Sequence, residues 1–258
     1  MTPDTGGAVR PARPHTGVTA DGRRRREVLT YTRRGGRLNP AQAAAWERRA
    51  GEWTIPDEAV DRPGFSLADW FGRQAPLIIE IGSGTGAATA ELAAARPSYD
   101  VLAVEVWRPG VAQTLRHLER TGATNVRLLG IDAVWSLAHL VEPGSVSELW
   151  TFFPDPWPKA RHHRRRLVDP AFAALVASRL VPGGRWRLAT DWPAYAEQMG
   201  TVLDAEPGLT NEHDGPAPRW EERPVTKFER RGLATGRPVT DLCYRAVGGV
   251  TRAGRPSI

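Results

Sequence analysis

The stretch PLIIEIGSGTG, Pro76 to Gly86, decides the fold. Its LIIEI core is a short apolar run with β-branched residues, as in a buried strand. Glycines at 82, 84 and 86 end it where a backbone must turn tightly and approach a ligand. Downstream, an alanine-rich helix ends near Arg96-Pro97, followed by a strand at Val101 to Val106 and a helix from Pro109 to Arg120. A strand at Val126 to Ile131, a short helix at Val134 to Leu140 and a fourth strand at Val146 to Phe153 come next. A helix from Pro170 to Leu180 stops at Pro182-Gly183-Gly184, Trp186 to Ala189 is the fifth strand, and Pro193 to Leu203 is helical. This alternation predicts an α/β fold, a parallel sheet with helices on both faces.

Upstream, Asn39-Pro40 is an N-cap and first-turn signal for a helix through AAAWERRA that Gly51 should stop, and Ser66 to Phe71 is a further helical turn. After Leu209 the pattern loosens into a loop with Gly215, Pro216, Pro218 and Pro224. Thr240 to Val247, TDLCYRAV, alternates in period two and reads as a late strand inserted into the sheet.

With 258 residues, 41% of them hydrophobic, the chain can bury a real core. Its net charge of +6 is uneven: residues 1–50 hold eleven arginines against four acids, so this segment carries +7 and the body −1. Residues 1–38 lack apolar periodicity and read as a disordered basic tail, whose arginines at 23–26, 33, 34 and 37 suit RNA phosphates or plain solvation equally. Only Lys159 and Lys227 break the bias toward arginine, which marks sites that want a point donor. Cys243 is the sole cysteine, which excludes an intrachain disulfide and a multi-cysteine zinc site, reads as a small core residue and fits a reducing cytoplasm. No apolar run approaches the roughly 20 residues that span a bilayer.

The chemistry is placed at FFPDPWPKARHHRRR, Phe152 to Arg166. Pro154, Pro156 and Pro158 end a strand and stiffen the chain beyond it, which fixes Asp155 in space beside aromatic faces and ahead of cations. That combination suits work on a nucleobase. Gly82, Gly84 and Ala87 also satisfy the dinucleotide pattern, with Glu105 about 20 residues on, so a nucleotide-dependent oxidoreductase is a rival. Glu80, Glu105, Asp132 and Asp155 end four successive strands, however, and this much negative charge favours S-adenosylmethionine, a sulfonium with an ammonium, over a pyrophosphate. His162 and His163 have no accompanying ligand cluster, so no metal is expected there. Asp191, in TDW, and Thr226 to Glu229 read as site residues, with plain helix starts as the alternative.

EIGSGTG, AVEVWRPGV, DAV, FFPDPWPKARHHRRR, ATDWPAYAEQM and RPVTKFERRG, in this order and spacing, resemble the bacterial tRNA (guanine-N7)-methyltransferases over residues 76–247. The resemblance implies a doubly wound, mostly parallel Rossmann-like methyltransferase sheet of about seven strands with helices on both faces. The expected organisation is a methyltransferase domain over 39–248, a disordered basic tail at 1–38 that lies outside the resemblance, and a short tail at 249–258. By resemblance, Glu80, Gly82, Gly84, Gly86, Glu105, Asp132 and Asp155 bind S-adenosyl-L-methionine, and Asp155 is also catalytic. Lys159, Asp191, Thr226, Lys227, Phe228 and Glu229 match substrate-binding positions, and Arg161, His162, His163, Arg164, Arg165 and Arg166 an RNA-contacting stretch. The implied substrate is the guanosine at tRNA position 46, in the variable loop, with Trp157 or Phe153 as stacking faces for an extruded base. The implied enzyme is cytoplasmic, a monomer or weak homodimer, with no membrane or metal partner. A noncatalytic RNA-binding protein that retains the pocket is the remaining rival.

Overall fold

The computed structural model describes residues 30–31, 36–234 and 236–248. Asn39 opens the first helix, α1 (Pro40–Trp53), with a capping box: its side chain accepts from the Gln42 N–H at 2.9 Å, and the Gln42 side chain accepts from the Asn39 N–H at 3.0 Å. Gly51 does not stop the helix. It runs on to Trp53, whose buried indole donates to the Ala123 carbonyl at 3.1 Å, so tertiary anchoring overrides a local breaker.

Next along the chain are β1 (Thr54–Ile55), α2 (Leu67–Phe71), β2 (Leu77–Ile81), α3 (Ala87–Ala94), β3 (Asp100–Val104), α4 (Arg108–Thr121), β4 (Val126–Leu129) and α5 (Ala133–Leu140). Then come β5 (Val146–Phe152), α6 (Pro170–Arg179), β6 (Leu180–Thr190), α7 (Pro193–Asp204), β7 (Leu209–Asn211), α8 (Lys227–Ala234) and β8 (Thr240–Ala246). They form one eight-stranded sheet in the order β1-β4-β3-β2-β5-β6-β8-β7. β8 runs antiparallel between β6 and β7, and the other pairings are parallel.

Alternate residues of the central strands feed two cores. Ile79, Ile81, Leu102, Val104 and Leu149 enter one, while Ile78, Val101, Ala103, Trp150 and Phe152 enter the other, so both faces are covered. The expected doubly wound α/β sheet is present, with one strand beyond the expected seven. The two-residue β1 and the three-residue β7 lie at the edges and are too short to carry a periodic signal. β6 also begins at Leu180, earlier than its apolar core, because Leu180 pairs with Val146 and the ladder resumes, after a register shift, at Glu148 with Arg185. The Pro-Gly-Gly segment is thus absorbed as an irregularity in the strand. No helix among the described residues is long and apolar enough to cross a membrane.

Candidate functional site

The strand order turns back between β2 and β5, and at the carboxyl ends of these strands lies a cavity of about 880 Å³. Its lining includes Glu80 and the loop 82–85, Glu105 to Trp107, and Phe152 to Asp155. Pro224 to Thr226 also line it, together with Thr30 and Tyr31, which lie inside the stretch expected to be a disordered tail.

The glycines do different jobs. Gly82 has φ +74° with open space where a side chain would be, so it makes the turn and leaves backbone facing the cavity. Gly86, expected at the cofactor, does not line the cavity; a Cβ there would meet Thr114 Oγ1 at 2.1 Å, so this glycine permits α3 to pack on α4. Ala87 and Ala88, the first residues of α3, do line the cavity, and a helix N-terminus favours an anionic group such as a carboxylate.

Glu105 organises the loop, its carboxylate accepting the Gly84 N–H at 2.8 Å and the Trp107 N–H at 2.7 Å. Glu80 is 3% exposed and accepts a short hydrogen bond from the Thr89 hydroxyl. Burial pushes its pKa from 4.5 up to about 7; the Thr89 bond opposes the shift and the Glu105 charge adds to it. Asp132 sits between the lining residues Ile131 and Ala133 and caps α5 by accepting the Trp135 N–H at 2.9 Å.

Asp155 lines the cavity from a loop bounded by two non-glycine residues in the left-handed region, Phe153 at φ +54° and Trp157 at φ +44°. The Phe153 N–H donates to the Ala189 carbonyl at 2.7 Å and continues the β5–β6 ladder one residue past the strand. The expected stacking faces are already partly used. Arg165 lies 3.6 Å over the Trp157 ring, whose indole N–H donates to the Thr30 carbonyl at 3.1 Å, and Arg223 lies 5.3 Å over Phe153.

The basic run folds as a 3-10 segment, Ala160–Arg165. Lys159, Arg161 and Arg164 are exposed, as an RNA contact requires, and His163 is half-buried. His162 is held below its ordinary 6.5 by desolvation and then by the surrounding cations, so it sits neutral near pH 7. Arg165 turns inward to donate to the Tyr31 carbonyl at 3.1 Å. Arg166, expected to touch RNA, is instead 3% exposed, with Nε and Nη1 bonded to protein acceptors and Nη2 buried without a partner.

The remaining expected substrate residues divide. Thr226 lines the cavity and its hydroxyl accepts the Glu229 N–H at 3.1 Å, which starts α8. Lys227 and Phe228 open that helix, and their side chains lie outside the described residues. Asp191, at the end of β6, pairs with Arg237 at 2.9 Å and packs against Gly232 of α8. Glu229 does not face the cavity: it is 2% exposed, and its carboxylate accepts from Arg219 at 2.7 Å and from Arg223 at 2.9 Å. Arg223, fully buried, also reaches Asp241 of β8 at 2.9 Å. This buried network docks α8 onto the sheet. Sequence reasoning missed Arg219, Arg223 and Asp241, since a charged residue in a loop or near a strand end carries no mark of burial. Among the described residues no cluster of His, Cys, Asp or Glu could hold a metal ion.

A family model described as "Putative methyltransferase" matches residues 74–242. A tRNA (guanine-N(7)-)-methyltransferase from Nocardioides sp. (strain ATCC BAA-499 / JS614) is 65% identical over 240 residues, covering 93% of this chain and 96% of the relative. The enzyme of that name from Cutibacterium acnes (strain DSM 16379 / KPA171202) is 48% identical over 233 residues, 86% of this chain and 84% of the relative. Among solved structures, the 16S rRNA methyltransferase KamB overlays with a TM-score of 0.53 at 18% identity, covering 71% of this chain and 94% of that one, a likeness of fold.

Proposed function

This chain belongs to the tRNA (guanine-N7)-methyltransferases, and from that premise we propose that it moves the methyl group of S-adenosyl-L-methionine to N7 of guanosine 46 in the variable loop of tRNA. The observation that carries this reading is the convergence of Glu80, Glu105 and Asp155 on one cavity with Lys159, Arg161 and Arg164 exposed on the loop that leaves it.

The cavity fits the cofactor. A buried carboxylate pushed up to about 7 is one that lacks a compensating cation, and an ammonium beside Glu80 would supply it. Glu105, with both oxygens facing backbone N–H groups, keeps acceptor capacity for ribose hydroxyls. The N-terminus of α3 suits the carboxylate of the amino acid moiety. When bound, S-adenosylmethionine supplies an electrophilic methyl on a sulfonium.

N7 of guanine carries a lone pair at neutral pH, so the chain needs no general base before attack; its task is to align N7 with the methyl carbon. Methylation at N7 would leave positive charge on the purine. Asp155, fixed at the cavity wall, stabilises that charge or holds the N1 and N2 donors of the base. Lys159 and the exposed arginines meet phosphate. The methyltransferase domain spans 39–248 between a basic tail at 1–38 and a short tail at 249–258, with Thr30 and Tyr31 adding to the rim of the cavity. The enzyme works in the cytoplasm.

Calorimetry against S-adenosylmethionine and NAD tests the cofactor assignment, and a tRNA with guanosine 46 replaced by adenosine tests the target. Tight NAD binding without S-adenosylmethionine binding, or undiminished methylation of the substituted tRNA, contradicts the reading.

A further inference from the structure

We infer that Arg166 is a positioning residue for methyl transfer, acting through the loop that carries Asp155 rather than on RNA; this rests on the role proposed for Asp155. The loop needs an external brace. Phe153 and Trp157 both hold left-handed backbone, at φ +54° and +44°, a conformation that costs roughly 1 kcal/mol or more per non-glycine residue. Pro154, Pro156 and Pro158 have no N–H, so the loop is poor in donors and is best held through its carbonyls.

Arg166 does this. Its Nε donates to the Pro156 carbonyl at 2.9 Å, one residue from Asp155, while Nη1 donates to the Ala194 carbonyl at 3.3 Å and to the Gln198 side chain. One planar fork therefore ties the loop to α7. The platform is rigid: the guanidinium lies 4.8 Å over the Tyr195 ring, and the Tyr195 hydroxyl accepts the Val168 N–H at 3.1 Å. The side chain of Gln198 in turn donates to the Val168 carbonyl at 3.2 Å. With 3% exposure, and with no carboxylate in salt-bridge range among the described residues, the guanidinium is neither placed to meet a phosphate nor held by an acid. Its neighbours Arg161 and Arg164, by contrast, are exposed.

The test uses the full chain and a tRNA transcript lacking the modification, with Arg166→Lys, Arg166→Met and Gln198→Leu. Expected is a single-turnover rate 10- to 100-fold below wild type for both Arg166 variants, in line with the roughly 100-fold loss that about 1 Å of misplacement brings. A smaller loss is expected for Gln198→Leu, which removes one acceptor of the clamp from outside the basic run. tRNA affinity and the slope of log Kd against log salt should stay at wild-type values in all three. A fall in slope of about one for Arg166→Met, with the rate retained in Arg166→Lys, would mark a phosphate contact and overturn the inference. Full rates in Arg166→Lys and Gln198→Leu would also overturn it, even if Arg166→Met failed to fold. Wild-type protein that methylates no tRNA would instead remove the functional reading beneath it.

Discussion

Glu80 makes cofactor binding pH-dependent in a direction set by its burial. Burial pushes its carboxyl up to about 7, so about one molecule in eleven is ionised at pH 6 and about half at pH 7. A cationic ligand needs the ionised form. Affinity for S-adenosylmethionine should therefore rise about fivefold from pH 6 to pH 7, and binding at pH 6 should release nearly one proton. Isothermal calorimetry in buffers of different ionisation heat reads both quantities. His117 also lines the cavity, and burial and Arg120 hold it below its ordinary 6.5. Glu80→Gln separates the two groups: it should bind more weakly and lose the pH dependence. Flat wild-type affinity over this interval, or an unchanged slope in Glu80→Gln, would refute the reasoning.

Without cofactor the same group works against the fold. Its folded pKa lies above the unfolded 4.5, so no cost arises below pH 4.5, and one of up to about 3 kcal/mol is present above pH 7; Glu80→Gln should raise stability at pH 8, and not at pH 4.5, in urea titrations. Asp155→Ala should cut the methylation rate at least 100-fold with unchanged circular dichroism, and wild-type turnover would remove Asp155 from the mechanism. Glu229→Ala leaves Arg223 buried beside one remaining acid, so a loss of about 3 kcal/mol in unfolding free energy is expected, measured by denaturant melts; an unchanged midpoint would return Glu229 to the substrate. Removing residues 1–29 should lower tRNA affinity and its salt slope at constant maximal rate, whereas removal through residue 38 also takes away Thr30 and Tyr31 and should weaken cofactor binding.

The sheet was legible because its central strands are short, mostly apolar runs closed by turn residues: LIIEI before GSGTG announces both β2 and the loop that follows it. The strand-end acids were legible for the same reason, since knowing where a parallel strand stops locates its end of the sheet. β1 and β7 were not, because strands of two and three residues exist only through their neighbours. Burial of charged residues was not legible either. Arg166 was expected on RNA and Glu229 on substrate, and both are buried, one on loop and helix acceptors and the other in a network with Arg219, Arg223 and Asp241. Nothing local distinguishes such a residue from Arg164, two positions before Arg166, which is exposed. The distinction is made by α7 and β8, far away in the chain. Gly86 is the converse case: a glycine of the ligand loop that the helix packed behind it and its own φ of +70° both require.

The most direct test of the central claim is transfer of labelled methyl from S-adenosylmethionine to tRNA isolated from cells lacking this modification, followed by nucleoside analysis. Label recovered as 7-methylguanosine, one per tRNA and absent with Asp155→Ala, is the predicted result. Label in another nucleoside, or tRNA binding with no transfer at all, would contradict it.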